Sequence, residues 1–258
     1  MEVKPHAALA QHIECFWSHA TEPTPSPHRV LPDGAMDFIF QLAGPGQARV
    51  VGTMTRALVV PQASRSDLVG VRFRPGGLAA FLPEHAATLT DRSESVAEVA
   101  GIAAGALCDR MRMHEDARTR VSELERVLLV GLEAAVALDG HVVAGVRLIE
   151  RTAGKVTSAE LVRHLGIGER QLERRFLARV GVTPKFFARV VRFKAAQQLA
   201  RSAWGQRAGW AGVASQAGYC DQAHLIRDFG ALAGLPPGAW LKSEMSNLGP
   251  PRQARLRA

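Results

Sequence analysis

Residues 168–184 read GERQLERRFLARVGVTP, and residues 221–237 read DQAHLIRDFGALAGLPP. At an offset of 53, Leu172 falls on Leu225, Arg174 on Arg227, Phe176 on Phe229, Gly181 on Gly234 and Pro184 on Pro237. A leucine and a phenylalanine four positions apart share one face of an α-helix, and a residue two positions from each is turned about 200° away. In each copy the Leu/Phe pair therefore anchors a helix on its own domain, and Arg174 and Arg227 point outward. Just upstream, LVRHLGI (161–167) resembles VASQAGY (213–219), with one extra residue before the second helix. Short helix, glycine turn, second helix is the helix-turn-helix pattern. It occurs twice here. The copies are joined by PKFFARVVRFKAAQQLARS, an amphipathic helix opening with Pro184 in its first turn. Asp221 is the expected N-cap of the second copy, whereas the first has Gly168, a weaker cap.

The outward edges of the two helices carry groups that suit base edges in a DNA major groove. Arginine matches the O6 and N7 of guanine, and glutamine matches the N6 and N7 of adenine. The charge distribution agrees. Residues 1–140 hold 13 Lys and Arg against 17 Asp and Glu, a net of −4; residues 141–258 hold 19 against 7, a net of +12. A basic module joined to a mildly acidic one points to a polyanion partner for the basic half.

The chain of 258 residues is long enough for two domains, and its 47% hydrophobic content is ordinary for buried cores. No run of eighteen apolar residues occurs, so no membrane span is expected. The opening MEVKPHAALAQHIE is charged where a signal peptide needs apolar residues, which makes the cytoplasm the expected location. Three widely spaced cysteines, Cys15, Cys108 and Cys220, with no CxxC, fit a reducing compartment and small buried or half-buried thiols.

The expected fold is α+β: a β-rich, sensor-like domain over 1–92, a helical linker over 93–138, an all-α module with two helix-turn-helix subdomains over 139–245, and a basic flexible tail over 246–258. AMDFIFQL, ARVVGTM, RALVVPQ and DLVGVRFRPGG are short Val-, Phe- and Ile-rich runs separated by the turn clusters LPDG, AGPGQ and RPGG. In the last of these runs Val69, Val71 and Phe73 would face one side, and Gly70, Arg72 and Arg74 the other. TEPTPSPH is punctuated by proline and reads as a loop. Within the linker, Val121, Leu124, Leu128 and Ala135 form a stripe that serves either as a two-fold dimer seam or as a packing face against its own domain.

At the repeated residues the chain resembles the AraC/XylS family of bacterial transcription regulators. The stretches that carry the resemblance are IGERQLERRFLARVGVTPKFFARVVRFKAAQQLA (167–200) and WAGVASQAGYCDQAHLIRDFGALAGLPPGAWL (210–241), within about the last hundred residues. The resemblance implies recognition helices that enter successive major grooves, presenting Arg170, Glu173 and Arg174 from the first and Gln222, His224 and Arg227 from the second. Two departures are Gly168, where the family often has Ser or Thr, and Ala223, where others carry a longer side chain. Arg192 and Lys194 on the joining helix are candidates for phosphate contact, as is His224, each with a structural role as the alternative. HRVLPDGAMDFIFQL and VGVRFRPGGLAAFL resemble the small β-rich domain of one branch of the family, which implies a sensing or dimerising role. Expected partners are double-stranded DNA, with RNA polymerase, a small-molecule effector and a second copy of the chain as further candidates.

Other chemistries find little support. No GxSxG, GxxxxGK[ST] or HExxH occurs, so no enzyme activity or cofactor is expected. His12 and His19 would lie on opposite sides of a strand or share a face of a helix, and no compact histidine set makes a metal site. Asp33 reads as the turn residue of LPDG, and Asp37 as a buried polar contact. Trp17, Phe38, Phe40 and Phe73 read as core. The alternatives are an enzyme tethered to DNA, which would need a catalytic set within 1–92, and an architectural binder indifferent to sequence.

Overall fold

Alternation of large apolar residues builds an N-terminal sheet. The computed structural model describes residues 1–24, 27–82 and 85–247. Its strands are β1 (Glu2–Val3), β2 (Ile13–Thr21), β3 (His28–Val30), β4 (Met36–Gln41), β5 (Gln47–Val51), β6 (Leu58–Val60), β7 (Ser66–Phe73) and β8 (Ser93–Ser95). Six of them form an antiparallel sheet in the order β1-β2-β7-β4-β5-β8, while β3 and β6 make a separate two-stranded ribbon. Register puts Val71 between Phe16 and Phe38, and all three are fully buried, with Phe40, Val69 and Phe73, on one face. Each such side chain stabilises the fold by roughly 1.5–3 kcal/mol through burial.

The opposite face is more polar. Trp17 lies across Gly70, where an added Cβ would fall 2.3 Å from the indole, so only glycine admits the ring. Trp17 is half-buried here rather than part of the apolar core. Asp37 is buried and accepts from Trp17 Nε1 at 3.3 Å and from Arg72 Nε at 3.3 Å. Burial opposes the Arg72 charge, but Asp37 and Asp33 together hold the guanidinium protonated, above its ordinary range. Asp33 also makes the turn contact expected of it, accepting from the Ala35 amide at 3.0 Å.

The sheet's apolar face is covered by α1 (Val96–Ala100), α2 (Ala104–Arg112) and α3 (Ala117–Leu132). Leu107, Cys108, Met111, Val121, Leu124 and Leu128 belong to the same core cluster as Phe16, Phe38 and Phe73. Two sequence expectations change here. Residues 93–95 are a strand, β8, paired with β5 and fastened by Arg49 Nε to Ser93 Oγ at 2.7 Å, although the surrounding composition reads as helix. Three residues are too few to show a period, and the pairing is set by a strand more than forty positions away. The stretch 93–138 is also no free linker: Val121, Leu124 and Leu128 face their own sheet, which leaves them no surface to offer as a dimer seam.

The remaining helices are α4 (Gly140–Arg151), α5 (Ser158–Leu165), α6 (Glu169–Val180), α7 (Pro184–Arg201), α8 (Ala203–Ala217), α9 (Gln222–Ala233) and α10 (Pro237–Asn247). The chain divides into two compact units, Met1–Val191 and Arg192–Ala258, so α7 contributes to both. The basic tail expected from residue 246 lies, from 248 onward, outside the described residues. No described helix is long and apolar enough to cross a membrane.

Candidate nucleic-acid interface

The repeat holds residue for residue. Helices α6 and α9 are each 12 residues long, and their bounds are 53 positions apart. Both end at a glycine with positive φ, Gly181 at 86° and Gly234 at 67°, which is the left-handed stop that a helix C-terminus favours. Pro184 and Pro237 then open α7 and α10. The turn before each helix differs by the one residue expected: Gly166 to Gly168 in the first copy, Gly218 to Asp221 in the second.

In the first unit, Leu172, Phe176 and Val180 are buried against α4, α5 and the start of α7. Thr157 caps α5 in a capping box with Glu160. Arg175, on the inner side of α6, donates to Asp139 at 2.6 Å. Asp139 also caps α4, accepting from the amides of His141 and Val142 at 3.0 and 3.3 Å. Burial works against the Asp139 charge, but Arg175 and the two amides outweigh it and hold the carboxylate below its usual range. Arg170, Glu173 and Arg174 are exposed on the outer face. Gly168 makes no side-chain cap, as its lack of a side chain requires.

In the second unit, Leu225, Phe229 and Leu232 are fully buried. Phe229 sits among three aromatic rings, with centroids 4.9 Å from Phe193, 5.6 Å from Trp210 and 5.3 Å from Trp240. Asp221 caps α9, accepting from the His224 amide at 2.6 Å. Gln222 and Arg227 are exposed; His224 is only half-exposed, its ring edge-on to Tyr219 at 5.1 Å. The Arg192 guanidinium covers the same tyrosine at 5.2 Å, so Arg192 and His224 both pack within the unit. Lys194 is exposed. Sequence reasoning missed Ile226, an exposed apolar side chain at the position that matches Glu173. The alignment of the two copies contained that signal: an apolar residue on an outward edge has no core to serve.

Residues 161–243 match the family described as a helix-turn-helix domain, over the segment that holds both copies. The chain carries an AraC-type helix-turn-helix domain over these residues. Residues 1–95 match a second family, described only as a domain of unknown function (DUF6597). No curated protein sequence matches. Among solved structures the chain is similar to ToxT from Vibrio cholerae, at 7% identity and a TM-score of 0.49, covering 88% of this chain and 98% of that one. An apo ToxT variant from Vibrio cholerae strain SCE256 is similar at 10% identity and a TM-score of 0.47, covering 88% and 97%. Among the described residues no group of three or more His, Cys, Asp or Glu is placed to hold a metal ion. The cysteines are free, with Cys108 buried, Cys15 half-buried and Cys220 exposed, the last contrary to the expected burial.

Proposed function

We propose that the chain is an AraC-type transcription regulator that reads two consecutive turns of double-stranded DNA, with α6 in one major groove and α9 in the next. The observation that carries this reading is the shared register of the two helices: equivalent residues are buried, and equivalent residues, Arg174 and Arg227 foremost, are exposed. Arg170, Glu173 and Gln222 stand beside them as further base contacts, and Lys194 as a phosphate contact. Ile226 suits the methyl group of thymine. His224 acts mainly by setting the shape of the helix start. Residues 1–138 form the regulatory domain and 139–245 the DNA-binding one; the protein works in the cytoplasm, with RNA polymerase, an effector and a second copy as candidate partners.

Selection of bound DNA from a random pool tests the reading. The expected sites hold two determinants separated by about 10–10.5 base pairs, one helical turn. Arg174→Ala and Arg227→Ala should each cost about 1–3 kcal/mol and relax preference at different determinants. Equal loss on all sequences for both variants would make these arginines phosphate contacts and overturn the assignment.

A further inference from the structure

The last carbonyls of a helix have no partner within it and must find one outside. At the end of α6 two of them find threonine hydroxyls from the N-terminal domain. Thr53 Oγ1 donates to the Val180 carbonyl at 2.6 Å, and Thr90 Oγ1 donates to the Gly181 carbonyl at 2.6 Å. Thr53 is fully buried. The fit around Gly181 is close: a Cβ there would meet Thr90 Oγ1 at 2.9 Å and the Ala86 carbonyl at 3.1 Å.

The two threonines sit on a braced support. Asp91 N donates to the Thr53 carbonyl at 3.1 Å, and Gly52 N to the Arg92 carbonyl at 3.1 Å. The Asp91 carboxylate accepts from the Thr55 amide at 2.7 Å. The segments holding Thr53 and Thr90 are thus bonded to each other where β5 ends and β8 begins. A hydroxyl mounted this way has little freedom to follow the helix, so the helix end follows the hydroxyl.

We propose that Thr53 and Thr90 are positioning residues for the first reading helix, fixing the angle at which α6 presents Arg170 and Arg174 although neither threonine touches DNA. This rests on the reading of α6 as a DNA-contacting helix. Base-edge contacts need placement to within about 0.5 Å and 10–20°. A 12-residue helix is about 18 Å long, so a tilt of ~10° about its C-terminal end moves its far end by ~3 Å. Small losses at residues 180 and 181 are therefore amplified at Arg170.

The test uses the full chain and the operator obtained by selection, with versions in which one determinant or the other is scrambled. Thr53→Val and Thr90→Val keep the shape and remove the donor; Thr53→Ser and Thr90→Ser keep the donor. Each valine variant should weaken operator binding by between about two- and ten-fold, the usual worth of one hydrogen bond. The loss should vanish on DNA whose α6 determinant is scrambled, persist when the α9 determinant is scrambled, and be restored by serine. A loss that is the same on all three DNAs, or no loss at all in a folded chain, overturns the proposal. If Thr53→Val does not fold, the half-buried Thr90 decides alone. Arg174→Ala is run alongside: if it leaves base preference unchanged, the reading of α6 itself fails, and if it relaxes preference while the valine variants do not, only the positioning role fails.

Discussion

Two residues divide the labour within each helix proposed to read DNA, and Phe229 shows it most sharply. Its ring closes the core of the second unit by touching Phe193, Trp210 and Trp240, while Arg227, two positions before, stands in solvent. Phe176 plays the same part in the first unit with fewer aromatic neighbours, its ring 6.3 Å from that of Phe187. Truncating a buried phenylalanine costs about 3–5 kcal/mol, and each well-set aromatic pair adds about 0.5–1.5 kcal/mol beyond area. Phe229→Ala should therefore lie at the upper end of that range and Phe176→Ala below it, both measured by chemical denaturation of the full chain. Melting indistinguishable from the parent in either variant would show that the ring is not the anchor. The Leu/Phe spacing made these roles legible in the sequence. The aromatic partners of Phe229 were not, because they come from helices about eleven to thirty-six positions away that no local period connects.

At the scale of the element, α6 is held on its inner side by a charge pair as well as by packing. Arg175 reaches Asp139, which is also the N-cap of α4, so one carboxylate ties two helices together. Because Asp139 is held below its usual range in the folded state, its contribution is fully present above the unfolded value of about 3.9 and is lost as pH falls through the lower, folded value. Replacement by asparagine should therefore reduce stability at pH 7, and the difference from the parent should shrink as the pH is brought toward 3. Urea melts at a series of pH values measure it; a difference that stays constant over that range would assign the effect to the cap's hydrogen bonds and not to the charge. The sequence showed the helices and their stops but not this tie, since the period that turns Arg175 toward the side of Leu172 does not say which carboxylate it meets. It also left the role of α3 open between a dimer seam and a packing face. The stripe Val121, Leu124, Leu128 was legible as a face, yet the partner of a face is not written in its period, and the partner is the protein's own sheet.

For the whole molecule the uneven charge is the property that the sequence displays most openly. Of the net +12 beyond residue 140, +9 falls on residues 141–247 (16 Lys and Arg against 7 Asp and Glu), which form the helices from α4 onward, and the net −4 before it lies on the sheet and its cover. Neutralising phosphates releases condensed counterions, so affinity for B-DNA falls with salt at a slope of about −0.9 per phosphate contacted. The two cations proposed from the joining helix should separate on this measure. Arg192 is spent on Tyr219 inside its unit, whereas Lys194 is exposed. Lys194→Ala should weaken binding about equally on operator and on unrelated DNA and make the salt slope shallower by about 1. Arg192→Ala should lower the melting temperature of the chain and leave the slope near its parent value in the folded protein. Titrations at several salt concentrations on both DNAs read all of this together. An unchanged slope for Lys194→Ala would remove it from the interface and leave the backbone contacts to other cations of the basic half.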